Sequence, residues 1–211
     1  LDYNVNQNHK LSLRYNSLIS ETDVLASNSN SLGFGNRRTN NNALNYQNTN
    51  YIQKESIHSL VAELNSRLGD KMSNQLMVGY TIQNEDRGSR GDFFPLVEIQ
   101  NASTTYISFG FEPFTPNNKL NYKTFQLQNN FTYYMGKHTL TAGFNLERLQ
   151  FENVFFPGSQ SVYVYNSLAD WYAATDANPA NDPTLRRFQL RYSALPGGAE
   201  PVQPTKVTYM G

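Results

Sequence analysis

The feature that most constrains this chain is a long hairpin of alternating polarity between Lys119 and Phe156. Each arm places apolar side chains on one parity, on either side of a tight turn at Gly136: Phe125, Leu127, Phe131 and Tyr133, then Leu140, Ala142, Phe144 and Leu146. A period of two puts apolar side chains on one face of a strand and polar ones on the other. Each arm has about ten residues or more, which lets a tilted strand cross a bilayer. The hairpin is therefore predicted to present one face to lipid and the other to water.

Composition excludes several other classes of protein. The chain has 211 residues, no net charge and no cysteine, so nothing indicates a nucleic-acid partner, a disulfide framework or a zinc–thiolate site. No apolar run approaches the length of a transmembrane helix. Uncharged polar residues combined with 14 Tyr and 13 Phe suit a β-barrel with a wet interior, and they suit a secreted β-sandwich almost as well.

Alternation recurs along the chain and predicts six strands. We expect them at about residues 1–5, 9–20, 51–68, 74–87, 121–134 and 138–153, with outer loops at about 21–50, 88–120 and 154–211. Short turns lie near Gln7, Asp70 and Gly136, roughly 65 residues apart. Short turns on one side and long loops on the other are typical of transmembrane barrels. The predicted fold is all-β, a segment of a large antiparallel transmembrane β-barrel with long extracellular loops.

A soluble antiparallel sandwich also alternates and remains the alternative fold. The predicted strands are long compared with the usual five or six residues, which favours the barrel.

Aromatic residues at the two ends of the hairpin fit the interfacial girdles of a membrane barrel. They are Tyr133 and Tyr134 beside the turn, and Phe151, Phe155 and Phe156 at the far end. Along the second arm, Leu146, Leu149 and Phe151 do not share a parity. We therefore expect a β-bulge near Arg148.

Taken together, the strand signatures resemble the barrel part of TonB-dependent outer-membrane transporters, and among them the Oar-like group, which has a carboxypeptidase-regulatory-like leading domain. The residues that carry the resemblance are LDYNVNQNHKLSLRYN, LQNNFTYYMGKHTLTAGFNLERLQFENVF and SVYVYNSLADWYAA. The resemblance implies a barrel of about 22 strands that holds a plug. This chain would be an interior piece of that polypeptide, with roughly six neighbouring strands and three outer loops.

The resemblance also implies transport without catalysis in the outer membrane of a Gram-negative bacterium, with the loops extracellular. Its expected partners are outer-membrane lipid, the TonB complex acting through a plug region outside this chain, and a surface lipoprotein or large ligand. No cofactor is expected. The alternative function is a soluble extracellular carbohydrate- or protein-binding β-sandwich module. No nucleophile or acid–base pair in the sequence indicates an enzyme.

Two groups of residues are candidates for binding. The densest aromatic cluster of the third loop offers ligand contacts, because aromatic rings combine large contact area with a polar edge: Tyr163, Tyr165, Trp171 and Tyr172. Packing of the loop against its neighbours is the other interpretation of each ring. Charged residues on the lumen side are candidates to hold the plug by ion pairs, or they line a solvated wall: Arg14, Glu63, Arg67 and Glu147.

Metal binding is not assigned to any residue. His9, His58 and His138 are far apart in sequence, so a shared metal would require convergence in three dimensions. A loop with several carboxylates and amides is a candidate for calcium, although its spacing is not that of an EF-hand: Asp170, Asp176, Asn178, Asn181 and Asp182.

Overall fold

A computed structural model describes residues 1–34, 38–178, 180, 184–194 and 205–211. The described residues form β1 (Asp2–Asn6), β2 (His9–Val24), β3 (Leu44–Asn45), β4 (Tyr51–Arg67), β5 (Met72–Ser89), β6 (Leu96–Asn101), β7 (Thr104–Phe109), β8 (Asn118–Met135), β9 (His138–Phe155), β10 (Val162–Tyr165), β11 (Leu185–Gln189) and β12 (Thr205–Met210). They also form one α-helix, α1 (Leu168–Thr175), and two 3-10 helices, Ser31–Gly33 and Gln47–Thr49.

The long strands build one antiparallel sheet of seven strands in the order β1-β2-β4-β5-β8-β9-β12. The sheet is open, with β1 and β12 at its edges. Its central strands have 16 to 18 residues each, or about 55–60 Å at the usual rise per residue. All but β4 extend at their loop ends beyond the predicted bounds, and all extend far beyond the ~25 Å apolar band of a membrane barrel.

The register is unbroken from β2 to β12 and divides the sheet into two faces. We call them the Leu127 face and the Gln126 face, after two adjacent residues of β8 that point in opposite directions. Near the short turns, the Leu127 face is mostly apolar across β2, β4, β5, β8 and β9, as the alternation predicts, although it includes the hydrogen-bonded amides of Asn74 and Asn129. Large side chains on this face are more than half exposed: Tyr15 63%, Leu60 53%, Leu140 57% and Phe144 55%. Such a broad exposed apolar surface indicates contact with something other than water.

Farther from the turns, the polarity of the two faces reverses. The reversal begins at one row of paired residues on the Leu127 face, which we call the border row: Tyr15, Leu60, Tyr80, Phe125, Arg148 and Met210. Beyond this row the Leu127 face carries ion pairs such as Lys119–Asp86, whose Nζ and Oδ2 atoms are 3.2 Å apart. On the Gln126 face, one row beyond this level is mainly apolar, and its Tyr122 and Phe151 lie with ring centroids 6.5 Å apart.

The reversal of polarity, and not the predicted β-bulge, accounts for the change of parity near Arg148. The pairing of β8 with β9 runs without a register shift from Asn118–Phe155 to Met135–His138. The prediction of a bulge was wrong because it assumed that one face stays apolar along the whole strand. The change in parity between Leu146 and Leu149 instead marks the level at which the apolar face changes sides.

The same register places the predicted girdle residues on different faces of the sheet. Tyr133 lies on the Leu127 face, whereas Phe151 and Phe155 lie on the Gln126 face, as does Tyr134. Other aromatic residues of the exposed apolar face share the border row: Tyr15, Tyr80 and Phe125.

The three long connections do not remain separate loops. Strands from all three build a second sheet of five strands in the order β11-β10-β6-β7-β3. We call this sheet, together with α1 and the other described residues of the three connections, the loop layer. Residues 96–101 in β6 are buried on both faces except at Asn101, so their short apolar run lacks the alternation that reveals a half-buried strand.

The third connection also returns to the large sheet. Residues 205–210, which the sequence analysis placed in the loop 154–211, form β12 and pair with Arg148 to Asn153 of β9. The long sheet therefore gains a strand that the hydrophobic pattern of the third stretch did not reveal.

Two glycines on the Gln126 face give a direct test of the register. A Cβ at Gly143 would lie 2.5 Å from the carbonyl oxygen of Asn129 on β8, whereas a Cβ at Gly79 would have no neighbour closer than 3.6 Å. We expect Gly143→Ala to destabilise the protein by about 1–3 kcal/mol through overpacking, and Gly79→Ala to be nearly neutral. Thermal unfolding of the intact protein in detergent, followed by circular dichroism, measures both. Equal midpoints for the two variants would contradict the β8–β9 register.

Candidate functional site

The Gln126 face gathers charged and amide side chains around the carboxylate of Glu63. Glu63 Oε2 accepts a hydrogen bond from Arg14 Nη2 at 3.2 Å, so two of the predicted lumen residues are brought together. Glu63 Oε1 accepts from Asn65 Nδ2 at 2.8 Å and from Gln75 Nε2 at 2.9 Å. One carboxylate thus joins the side chains of β2, β4 and β5. This arrangement fixes a polar wall and leaves other faces of the Arg14 guanidinium, which is exposed, open to a partner.

The other two predicted lumen residues lie on the same face but apart from this group. Glu147 Oε2 accepts a hydrogen bond from Gln126 Nε2 at 2.8 Å across β8 and β9. Arg67 lies at the end of β4 and interacts with the next turn, where its Nη2 atom is 2.9 Å from Asp70 Oδ1. The four residues therefore form one close pair and two separate positions along a polar wall.

The four predicted aromatic ligand contacts all lie in the loop layer, but their surroundings differ. Tyr165 is 7% exposed, and burial raises the pKa of its hydroxyl above the usual value. Trp171 packs edge-on against Tyr165 and Phe109, with ring centroids 5.3 Å away in each case. Tyr163 lies 4.9 Å from Phe188 of β11. These three rings hold α1, β7 and β11 to the centre of the layer.

Tyr172 differs from the other three because it is 61% exposed. Tyr172 follows Trp171 on α1. Ser167 caps the first turn of this helix, because the Ser167 Oγ accepts a hydrogen bond from the backbone N–H of Asp170 at 3.1 Å. Among the four predicted contacts, Tyr172 offers the largest fraction of its surface to an incoming ligand.

Sequence reasoning missed a second group of exposed rings in the loop layer. Phe93 is 63% exposed and Phe94 is 46% exposed. Phe93 stacks edge-on against Phe111 at 5.4 Å, and Phe94 lies 6.4 Å from Phe109. The signal was present in the run GDFFPLVEIQ, where two adjacent aromatic residues follow a glycine turn and precede β6. Together with Tyr172, these rings extend the aromatic surface of the layer.

A buried ion pair joins the first and second long connections. The Arg38 guanidinium contacts the Glu98 carboxylate of β6, and both side chains are fully buried. Arg38 also donates to the carbonyl oxygen of Ser27 at 2.8 Å and to that of Phe34. Removing one partner of such a pair leaves an uncompensated buried charge, which is strongly destabilising. The pair therefore holds two connections in one fixed arrangement.

Glu112 is a second buried carboxylate of the loop layer. Its Oε2 atom accepts hydrogen bonds from the backbone N–H of Phe114 at 2.8 Å and from Thr115 Oγ1 at 2.9 Å. Burial raises the pKa of Glu112 above its ordinary value of 4.5, and these hydrogen bonds oppose the increase only in part. The folded state therefore holds the Glu112 proton more tightly than the unfolded state does.

Metal-binding groups do not converge within the described part of the chain. No cluster of three or more His, Asp or Glu side chains suited to a metal is found among these residues. His58 is instead bonded to Tyr15, with Nδ1 and the hydroxyl oxygen 2.8 Å apart. Of the predicted calcium candidates, Asp170 is bonded to Ser167, while Asn181 and Asp182 lie outside the described residues. Across the same residues, no helix has the length and apolar character needed to span a membrane.

The raised pKa of Glu112 makes a prediction about pH. As the pH rises from about 4.5 through the raised pKa, the folded loop layer should lose stability because the buried carboxyl must ionise. Glu112→Gln cannot ionise, so its stability should exceed that of the wild type by a margin that grows over this range. Pulse proteolysis of the intact protein in urea measures the difference. Glu21→Gln, at an exposed position, is the control, and a constant margin for Glu112→Gln would contradict the assignment.

Comparison with known proteins identifies the family. Residues 1–193 match the family described as an outer membrane beta barrel domain, which covers most of the 211 residues. No curated protein and no solved structure matches the chain. The family agrees with the long antiparallel strands, with the broad exposed apolar surface of the Leu127 face and with the polar group around Glu63 on the opposite face. The chain therefore belongs to the outer membrane beta barrel domain family and is part of an outer-membrane protein.

Proposed function

We propose that this chain is a wall segment of a TonB-dependent transporter of the Oar-like group, with the long connections on the extracellular side. The observation that carries the proposal is the polar group around Glu63, together with its neighbours on the Gln126 face. In a closed barrel, the face opposite the lipid lines the lumen. Arg14, Glu63, Arg67 and Glu147 then contact a plug domain, which lies outside this chain.

The loop layer supports a role in capturing a ligand before transport. Its strands join all three long connections, and the buried Arg38–Glu98 pair fixes two of them. A rigid layer can hold exposed rings in one arrangement, which lowers the entropy lost on binding. In this proposal Tyr172, Phe93 and Phe94 make the first contacts with a ligand, while Tyr163, Tyr165 and Trp171 support them from within the layer. A surface lipoprotein that delivers a large ligand would meet the same rings.

The soluble sandwich module is the weaker proposal. A sandwich buries the inner faces of its two sheets against each other. Here Leu140 and Phe144 of the Leu127 face are more than half exposed. Membership of an outer-membrane family gives that surface a partner, because lipid covers the apolar face of a membrane barrel. No step of the proposed function forms or breaks a covalent bond.

The proposal is tested by the behaviour of the intact protein purified from outer membranes in detergent. We expect immobilised periplasmic domain of TonB to retain it, whereas an unrelated porin should pass through. We also expect Glu63→Ala to loosen the plug, because Arg14, Asn65 and Gln75 lose the shared carboxylate. These hydrogen bonds are exposed, and exposed charged pairs contribute about 0.2–1 kcal/mol each, so urea should release the plug to protease at a lower concentration.

Glu152→Ala is the matched control for the plug measurement. Glu152 also forms a cross-strand ion pair, with its Oε2 atom 3.2 Å from Lys206 Nζ, but it lies on the Leu127 face and should leave plug release unchanged. Equal release in the two variants would contradict a plug contact at Glu63. Failure of TonB to retain the protein would contradict TonB-dependent transport and would leave the outer-membrane family unaffected.

A further inference from the structure

The border row on the Leu127 face separates the apolar band from a charged zone. The next rows of paired residues outward from the border contain mostly polar side chains: Ser17, His58, Ile82, Lys123, Gln150 and Thr208, then Ile19, Ser56, Asn84, Asn121, Glu152 and Lys206. At about 3.4 Å per residue, the first of these rows lies roughly 7 Å beyond the border. This is the level at which lipid headgroups meet a membrane protein.

Most cations in this zone are neutralised by the protein itself. Lys119 Nζ is 3.2 Å from Asp86 Oδ2, and Lys206 Nζ is 3.2 Å from Glu152 Oε2. Lys54 Nζ lies 4.0 Å from Glu21 Oε1. Each of these three lysines is thus matched to a carboxylate on the neighbouring strand of the same face.

Lys123 and Arg148 are the exceptions among the described strand residues of this face. Both side chains are exposed, and no carboxylate oxygen of the described residues lies within 4.0 Å of either cationic group. Arg148 pairs with Phe125 in the border row, and Lys123 pairs with Gln150 one row outward. Diagonal neighbours of this kind are about 7–8 Å apart at their Cα atoms, so one anion with several oxygens can contact both groups.

Two exposed cations beside an apolar band, with no carboxylate partner within 4.0 Å among the described residues, can bind an anion at that level. A lysine or arginine side chain can lay its apolar stem along the band and extend its charged end to the headgroups. Phosphate oxygens suit both groups, since the guanidinium binds them in a bidentate manner and the ammonium acts as a compact charge. Gln150, which pairs with Lys123, is a further polar neighbour, and its amide donates to Thr208 Oγ1 of β12 at 3.4 Å.

We propose that Lys123 and Arg148 form a binding site for the phosphate headgroup of an outer-leaflet lipid. The inference rests on one part of the proposed function, the extracellular position of the long connections, because that position places the border row in the outer leaflet. It does not depend on TonB or on a plug. The site anchors the wall at a fixed depth in the membrane, at the level where the polarity of the two faces reverses.

Lipid binding to the intact protein in detergent tests the site, with diphosphoryl lipid A as the probe. Each cation near a charged lipid surface contributes roughly a fivefold change in affinity, so the double variant Lys123→Gln/Arg148→Gln should bind roughly 25-fold more weakly. The matched control is Lys119→Gln/Lys206→Gln, which removes the same charge from the same face but from ion-paired positions. Its affinity should stay within about twofold of the wild type.

Two further probes identify the source of the phosphate. Enzymatically dephosphorylated lipid A should bind the wild type no better than diphosphoryl lipid A binds the double variant, and inorganic phosphate at millimolar concentration should not displace diphosphoryl lipid A. Equal binding of the dephosphorylated lipid, full displacement by inorganic phosphate, or wild-type affinity in the double variant would overturn the proposal.

Cysteine labelling in intact cells tests the orientation of the wall in the membrane, on which the lipid site depends. The chain has no cysteine, so Tyr172→Cys and Lys137→Cys can be labelled with a membrane-impermeant maleimide in intact cells, against the unsubstituted protein as background. We expect labelling at position 172 in the loop layer and none at position 137 in a short turn. The reverse pattern would place the border row in the inner leaflet and overturn the lipid site, whatever the result with TonB.

Discussion

The unbroken backbone pairing of the long strands is the constraint on which the rest of this structure depends. Lipid offers no hydrogen bonds to a backbone, so every N–H and C=O at membrane depth must be paired within the protein. From Asn118–Phe155 to Met135–His138, β8 and β9 satisfy this requirement without a bulge, and β4 pairs with β5 over its full length. Continuous register also fixes which side chains share a face. The apolar band, the polar group around Glu63 and the border row all follow from it.

The reversal of polarity beyond the border row explains why strands of 16 to 18 residues exceed the membrane. Inside the band, the Leu127 face is apolar and the Gln126 face is wet. Beyond the band, water surrounds the outside of the wall, so the Leu127 face carries ion pairs such as Lys119–Asp86. The opposite face then carries Tyr122 and Phe151, which pack together. The loop layer is a separate sheet, stabilised by the buried Arg38–Glu98 pair.

The sequence revealed the parts of the fold that depend on local periodicity. Alternation in the 119–156 hairpin located β8 and β9, and the composition of the short turns located the ends of the strands. The prediction of a bulge near Arg148 was wrong, because a reversal of polarity and a bulge produce the same change of parity in the sequence. Sequence reasoning read the runs PLVEIQ and VYVY as loop, because strands buried on both faces do not alternate. The Arg38–Glu98 contact joins residues 60 positions apart, and no local pattern indicates it. The candidate rings were found by their density, but which of them are exposed depends on packing between connections.

The central claim is that the Leu127 face meets lipid only up to the border row, and spin labels test it most directly. Single cysteines at positions 127, 126 and 121 would carry the label in the intact protein reconstituted in bilayers, and collisions with oxygen and with a water-soluble nickel chelate would be compared. Position 127 should favour oxygen, while position 126 on the opposite face should favour the chelate. Position 121, on the same face as 127 but beyond the border, should also favour the chelate. Similar accessibility at 127 and 121 would contradict the border, and similar accessibility at 127 and 126 would contradict the membrane wall itself.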